Sequence, residues 1–129
     1  MVYLTATLKS AEKLFVWTAH QGIRGNNLVA SKEIENLVKN FERNHIEYMS
    51  RRYSETQARQ EFINPFFKAL GWDIYNEQGF PEAYKEVLHE PSFKENSNTI
   101  SPDYVFKIED DIKFVVEAKK PSKNLKSNP

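Results

Sequence analysis

The stretch 101–121, SPDYVFKIEDDIKFVVEAKKP, decides the fold of this chain. Apolar side chains alternate with polar or smaller ones on both sides of the acidic turn 109–111, and this period of two predicts two β-strands. Folding the hairpin about Asp110 sets three apolar pairs opposite each other: Tyr104 with Val116, Phe106 with Phe114, and Ile108 with Ile112. A slip of one residue would oppose apolar and charged side chains, so the pattern predicts antiparallel strands near 103–108 and 112–118.

The other face of this hairpin carries two acids. The same register brings Asp103 opposite Glu117, with Cβ atoms about 4.5–5.5 Å apart, and Lys119 follows two residues later on the same face. Two opposed carboxylates destabilise a sheet, and a divalent cation between them removes that cost. Hard oxygen ligands with room for water suit Mg²⁺, with Mn²⁺ as a substitute, and an adjacent lysine can orient or help deprotonate a water. The hairpin therefore predicts a two-carboxylate metal site beside an ammonium group.

An amphipathic helix is predicted over 31–50, with Ser31 as its cap. Its apolar side follows three- and four-residue steps through Ile34, Leu37, Val38, Phe41, His45, Tyr48 and Met49. His45 lies in this stripe, so we interpret it as a packed, hydrogen-bonded histidine and not as a functional one. Arg51 and Arg52 come next and are interpreted as solvated.

A second helix is predicted over 54–70. Ser54 and Gln57 form a capping box, Tyr53 takes the hydrophobic-staple position before the cap, and Gly71 ends the helix. Pro65 lies inside this segment and is expected to kink or loosen one turn. The expected buried stripe is Ala58, Phe62, Ile63, Phe66, Ala69 and Leu70.

Two acids of the second helix have different expected positions. Glu55 continues the buried stripe towards the N-terminus, so it can face a site at the sheet. The alternative for Glu55 is the ordinary favourable interaction of a first-turn acid with the helix dipole. Glu61 lies nearer the side of Lys68, which is expected to face solvent.

The segment between this helix and the hairpin is expected to supply one more strand. Residues 84–89 have strand character at Val87 and Leu88, while 72–75 extend into the sheet or pack beside it. Glu90, near the strand end, is a further candidate ligand whose expected state is solvent exposure. The polar run 94–99 is expected to be a mobile loop.

Composition sets the broad class. The chain has 129 residues with a formal net charge of zero, no cysteine, and three histidines without ligand spacing. Cysteine zinc sites and disulfides are therefore excluded, and without a membrane span or signal pattern the expected location is the cytoplasm. Four lysines near the C-terminus have no acidic residue among them, which favours either phosphate contacts or a solvated tail; they are Lys119, Lys120, Lys123 and Lys126.

The runs SETQAR, EFINPFF and ALGWD, followed by PD and, after thirteen residues, EAK, carry a resemblance. This pattern resembles PD-(D/E)XK nucleases, and in particular the N-terminal endonuclease domain of type IIG restriction–modification enzymes, with type I enzymes as relatives. The resemblance covers residues 32–125. It implies that Asp103, Glu117 and Lys119 are the motif's aspartate, glutamate and lysine, and that Glu55 is the first-helix glutamate that supports the metal site.

The implied fold is α/β, with a mixed α+β arrangement: a restriction-endonuclease-like core in which helix 54–70 packs on a sheet that contains hairpin 103–118, preceded by an N-terminal helix. Residues 1–30 are interpreted as an extension of unclear role, and 31–129 as a nuclease-like domain truncated at its C-terminus. The implied activity is Mg²⁺-dependent hydrolysis of double-stranded DNA, with methyltransferase and target-recognition parts outside this chain and no membrane partner. The alternatives are a degenerate nuclease-fold module for nucleic-acid or protein interaction, or an inactive fragment.

Overall fold

The computed structural model describes residues 2–6 and 27–123. The described residues form two compact units: a sheet unit, which contains 2–6 and 72–117, and a helical unit, which contains 27–71 and 118–123. The remaining residues, which include most of the N-terminal extension and Lys126, lie outside the described part.

The sheet unit contains six strands. These are β1 (Val2–Ala6), β2 (Val87–His89), β3 (Phe93–Glu95), β4 (Asn98–Ile100), β5 (Tyr104–Ile108) and β6 (Asp111–Ala118). Four of them form one sheet in the order β1-β6-β5-β2, and β3 and β4 form a separate hairpin. The predicted strand at 87–88 is therefore confirmed as β2, whereas β1 had no counterpart among the predicted elements.

The central hairpin confirms the predicted register over most of its length. Strand β5 pairs antiparallel with β6, and the pairs Tyr104–Val116 and Phe106–Phe114 are those that the apolar pattern requires. Both faces of β5 are buried, since Tyr104, Val105 and Phe106 are each at most 1% exposed. Strand β5 is therefore buried on both faces and does not have one face exposed to solvent.

The tip of the hairpin differs from the prediction. The turn contains only Glu109 and Asp110, so Ile108 pairs with Asp111 and not with Ile112. Glu109 has a φ of 57°, the positive φ that two-residue hairpin turns prefer at their first position. A β-bulge between Phe106 and Lys107 leaves Lys113 without a partner in the ladder and absorbs the one-residue difference.

Residues 72–75 pack beside the sheet and do not extend it. The ring of Trp72 lies edge-on to Phe106 and Phe114, with ring centroids 5.1 and 5.7 Å apart. Ile74 is 1% exposed, and its carbonyl oxygen lies 2.7 Å from Nε2 of His89. This segment therefore covers the face of the sheet that carries Phe106.

The polar run 94–99 is a hairpin, so its interpretation as a loop is wrong. Strands β3 and β4 pair from Phe93–Ile100 to Glu95–Asn98. The turn between them has φ values of 51° at Asn96 and 70° at Ser97. A turn with both central residues at positive φ matches the twist of the flanking strands, and asparagine tolerates this conformation well.

The helical unit begins with α1 (Asn27–Arg43) and the short α2 (His45–Tyr48). The predicted helix 31–50 is thus one helix that starts four residues earlier, with Ser31 inside it, and a separate turn. The break falls at Asn44, whose Nδ2 donates to the Asn40 carbonyl at 3.1 Å. Asparagine side chains that bond local backbone in this way compete with helix continuation.

The predicted second helix begins as expected. Gln57 donates its N–H to Ser54 Oγ at 3.0 Å, and Ser54 donates its N–H to Gln57 Oε1 at 3.0 Å, which completes the capping box. However, the segment is not one α-helix. It consists of α3 (Glu55–Ala58), a π-helical turn (Arg59–Ile63) and α4 (Asn64–Ala69).

Pro65 explains the π turn. A proline lacks an N–H and its ring clashes with the carbonyl four residues earlier, so a regular α turn cannot pass through it. The Asn64 N–H instead donates to the Arg59 carbonyl, five residues back. One consequence is that Phe67, five residues after Phe62, is buried at 2% exposure. The sequence interpretation missed Phe67 and placed Ala69, which is half-buried, in the buried stripe.

An aromatic cluster holds the helical unit together. Phe62 is 1% exposed and lies edge-on to three other rings, at centroid distances of 5.8 Å to Phe41, 4.8 Å to Tyr48 and 6.5 Å to Tyr53. Edge-to-face aromatic pairs at these distances are favourable beyond their buried area. His45 lies edge-on to Phe41 at 5.6 Å but is exposed, so its interpretation as a packed histidine is wrong.

Within the described ranges, no helix is long and apolar enough to cross a membrane.

Candidate active site

The two acids of the candidate site lie at one end of the sheet. Asp103 directly precedes β5, and its carbonyl oxygen accepts a hydrogen bond from the Glu90 N–H at 2.9 Å. Glu117 is the second-last residue of β6. Because Tyr104 pairs with Val116, the next step of the register sets Asp103 opposite Glu117.

The surroundings of this pair are apolar on one side. The preceding step on the same face is the Val105–Val115 pair, which is 1% and 0% exposed, while Asp103 and Glu117 are both half-buried. Like charges near a low-dielectric surface repel more strongly than charges in open water. The carboxylate pair is therefore at the border between the dry core and solvent.

These residues fit a magnesium ion in donor type. Mg²⁺ is commonly held by one or two carboxylates and keeps several of its waters, so a pair at the solvent border is a suitable donor set. Among residues 2–6 and 27–123, no group of three or more histidines and acids is placed to hold a metal ion.

Glu90, the further candidate ligand, has an exposed side chain and a φ of 50°, and its backbone N–H donates to the carbonyl of Asp103.

Lys119 comes directly after the last residue of β6 and is half-buried. Chain connectivity alone keeps it two residues from Glu117. The segment that follows is a turn, in which the Lys123 N–H donates to the Lys120 carbonyl at 3.0 Å. Pro121, inside this turn, is fully buried, and Lys123 is exposed.

Glu55 is the first residue of α3, directly after the Ser54 cap, and is half-buried. This position is compatible with both alternatives, a role at the site and a favourable interaction with the helix dipole. An acid in the first turn of a helix interacts favourably with the dipole in either case. Its approach to the carboxylate pair stays a prediction, as does the packing of helix 54–70 on the sheet.

One polar contact of the helical unit was missed by the sequence interpretation. The hydroxyl of Tyr53 donates a hydrogen bond to the carboxylate of Glu61, a residue that is exposed as expected. Burial of Tyr53, this hydrogen bond and the negative charge of Glu61 raise the pKa of Tyr53 well above its usual value, with a smaller contribution from Tyr48. Glu61 lies in the π turn and is exposed, so the expectation that it faces solvent is confirmed.

The comparisons with known proteins give one relative. The chain is 40% identical over 95 residues to the type II restriction enzyme and methyltransferase RM.Eco57I of Escherichia coli. The match covers 72% of this chain and 10% of the relative, so the chain spans about a tenth of the length of the curated relative that it matches. This similarity supports a relationship to restriction enzymes, while the narrower resemblance to PD-(D/E)XK nucleases stays a prediction.

No family model matches the chain, and no solved structure matches it.

Proposed function

We propose that this chain is a DNA endonuclease module of a restriction–modification system, of the PD-(D/E)XK type and similar to type IIG enzymes. The observation that carries the proposal is the register of β5 and β6, in which the pair Tyr104–Val116 sets Asp103 opposite Glu117. Like charges directly across a strand pair are destabilising, and a divalent cation held between the two carboxylates would remove that cost. The similarity to a restriction enzyme gives the pair a chemical context.

The proposed chemistry is hydrolysis of phosphodiester bonds in double-stranded DNA. A bound Mg²⁺, or Mn²⁺ in its place, would polarise the phosphate and lower the pKa of the attacking water. Asp103 and Glu117 would supply the carboxylate oxygens that hold the ion, and Glu55 would add a third acid. The Lys119 ammonium would position the water and offset the negative charge that develops on the phosphate.

The remaining parts of the enzyme are proposed to lie outside this chain. The relative is named both a restriction enzyme and a methyltransferase, and this chain spans a tenth of it. We therefore expect methyltransferase and target-recognition domains, or separate subunits, to act with this module. Sequence specificity would come from those parts, since this sequence shows no base-reading motif.

Magnesium-dependent stability tests the site directly. Thermal unfolding of the wild type should shift upward with Mg²⁺, by about 2.7 kcal/mol when the ion is at 100 times its dissociation constant. Asp103→Asn should lose most of this gain. Without the ion, Asp103→Asn should be as stable as the wild type or slightly more stable, because the change relieves the repulsion between the carboxylates.

The matched control is Asp110→Asn, which removes the same charge from an exposed residue of the hairpin turn. It should keep the full response to Mg²⁺. An Asp103→Asn protein that responds to Mg²⁺ as strongly as the wild type would reject Asp103 as a ligand. A clear loss of metal-free stability would instead identify Asp103 as a structural residue.

Plasmid cleavage tests the role of Lys119. Lys119→Ala should abolish nicking and linearisation of plasmid DNA while it leaves the Mg²⁺ shift in unfolding unchanged, because lysine is not a metal ligand. A wild type that gains stability from Mg²⁺ but never cleaves DNA would favour the degenerate module. A wild type without either response would favour the inactive fragment.

A further inference from the structure

Two segments that are far apart in sequence bring basic residues together in the helical unit. Arg51 and Arg52 lie between α2 and α3, and Lys120 and Lys123 follow β6. The Lys120 Nζ donates to the Arg51 carbonyl oxygen at 3.4 Å across 69 residues of sequence. The four residues Arg51, Arg52, Lys120 and Lys123 are called the basic surface below.

The arginine segment is held in place by its neighbours. The Arg52 N–H donates to Ser50 Oγ at 3.1 Å, and the Tyr53 N–H donates to the Ser50 carbonyl at 3.2 Å. Tyr53 itself is 5% exposed and packs in the aromatic cluster. The two arginines therefore lie on a tight turn, and the buried Tyr53 ring holds the C-terminal end of this turn. Because the backbone of the turn is already ordered, binding costs little backbone conformational entropy.

The charges of this surface are available. Arg51, Arg52 and Lys123 are exposed, and Lys120 is half-buried with two of its three donor hydrogens not used by the Arg51 carbonyl. In the part of the chain that the structure describes, no acid forms an ion pair with any of the four. Glu47 and Glu55 flank the arginines in sequence and belong to no such pair. Four positively charged residues thus lie on two segments that the Lys120–Arg51 hydrogen bond joins, in a chain whose net charge is zero.

We propose that the basic surface binds the phosphate backbone of duplex DNA, with Arg51 and Arg52 as main contacts beside Lys120 and Lys123. This inference rests on the proposed function, since it names how that module holds its substrate. Arginine suits the task because its planar fork donates two parallel hydrogen bonds to a phosphate. Contacts of this kind position the duplex and carry no sequence preference.

The experiment measures binding of the whole chain to a fluorescein-labelled DNA duplex of arbitrary sequence by anisotropy, in EDTA and over a range of salt concentrations. Each phosphate contact contributes about −0.9 to the slope of log affinity against log salt. Arg51→Ala/Arg52→Ala should therefore reduce the magnitude of this slope by about 1.8 and weaken binding by roughly 10- to 60-fold at about 0.1 M salt. Arg51→Lys/Arg52→Lys keeps the charges and should keep most of the slope.

The matched control is Lys32→Ala/Lys39→Ala, which removes the same net charge from exposed positions of α1. It should leave the slope nearly unchanged. An equal loss of affinity in the control and in the arginine variant would mean that only total charge matters, and would overturn the proposal. Failure of the wild type to bind the duplex at low salt would overturn it as well.

This test is independent of the metal chemistry, because EDTA removes the divalent ions. If the arginine variant loses its phosphate contacts while the wild type never cleaves DNA, the basic surface stands and the nuclease proposal fails. If the wild type cleaves but the arginine variant binds the duplex with an unchanged slope, the nuclease proposal stands and the basic surface is wrong.

Discussion

The helical segment 55–69 and strand β6 each contain one residue more than a regular element would have, and the two irregularities lie in different surroundings. The π turn Arg59–Ile63 lies within the core of the helical unit, where it includes the buried Phe62 and Ile63. The bulge in β6 falls at Lys113, whose side chain is 44% exposed, near the tip of a hairpin. An extra residue therefore has different consequences in the two places.

In the helix, the insertion changes which residues are buried. Phe67, five residues after Phe62, is buried together with the expected Phe66, and Glu61 within the turn accepts a hydrogen bond from the Tyr53 hydroxyl. In the strand, the insertion changes only the tip, since the pairs from Phe106–Phe114 to Tyr104–Val116 keep the expected register. The candidate carboxylates lie at the far end of those pairs and are unaffected. The bulge leaves the candidate site unchanged because the expected register is kept between the bulge and the site.

The largest expected effect is at the core of the π turn. Phe62→Ala should lower the free energy of unfolding by about 3–5 kcal/mol, because the buried ring leaves a cavity among three other aromatic rings. Chemical denaturation measures this loss. Ile46→Ala is the control for an apolar truncation in the same unit, since Ile46 is 90% exposed and should change stability by no more than about 0.5 kcal/mol. A loss below about 1 kcal/mol at Phe62 would contradict the assignment of the core.

The next effect concerns the hydrogen bond from Tyr53 to Glu61, whose acceptor lies in the π turn. Tyr53→Phe should cost about 1.5–3 kcal/mol at neutral pH, the range for a hydrogen bond to a charged group. The pH dependence has a definite sign. Burial and Glu61 raise the pKa of Tyr53 in the folded state, so its contribution to stability is fully present below the unfolded pKa of about 10 and is lost as pH rises above that value.

The phenylalanine variant should therefore lose less stability than the wild type between neutral pH and about pH 11, as measured by thermal unfolding at both pH values. Tyr84→Phe is the control, because Tyr84 is 64% exposed and should leave the alkaline loss unchanged. Parallel pH profiles for Tyr53→Phe and the wild type would show that the hydroxyl of Tyr53 does not couple to folding.

A smaller effect is expected where the helical segment begins. Ser54→Ala removes one half of the capping box and should cost about 1 kcal/mol, since the Gln57 N–H loses its acceptor. Ser54→Asp should retain most of the stability, because aspartate also accepts at this position. Equal stability of the alanine and aspartate variants would mean that packing of Tyr53, and not the cap, fixes the start of the helix.

The smallest effect is expected at the bulge. Deletion of Lys113 should leave a regular hairpin in which the pairs Phe106–Phe114 and Lys107–Ile112 are intact. The free energy of unfolding should fall by less than about 1 kcal/mol, because the exposed ion pair of Lys113 with Asp111 contributes little. The Mg²⁺ response should be unchanged. A loss comparable to that of Phe62→Ala would show that the bulge supports the core, and the contrast between the two insertions would then not hold.

The parts of the fold that follow local rules were predictable. Alternation predicted the strands β5 and β6 and their register from Tyr104 to Phe106, and the capping box and Gly71 predicted both ends of the second helical segment. Two of the errors arise where local chemistry competes with the general period. Asn44 ends α1 through its own side chain, and Asn96 with Ser97 makes a tight turn of what seemed a loop.

The candidate site divides in the same way. The sequence by itself determined that Asp103 and Glu117 are opposed, because a period of two leaves only one register that keeps apolar residues together. It also indicated Lys119 and Glu55, through the spacing of the motif and the position after the helix cap. The roles of these four residues at the site stay predictions.

Only the tertiary structure shows the hydrogen bonds from Lys120 to the Arg51 carbonyl and from Tyr53 to Glu61. The first contact joins residues 69 positions apart, and no local pattern carries information over that distance. The second joins a residue before the Ser54 cap to a residue inside the π turn, and the sequence carries no pattern that indicates this contact. The tertiary structure therefore decided how the polar surface of the helical unit is assembled, because the free energy of those contacts depends on the packing of the whole unit and not on any one segment.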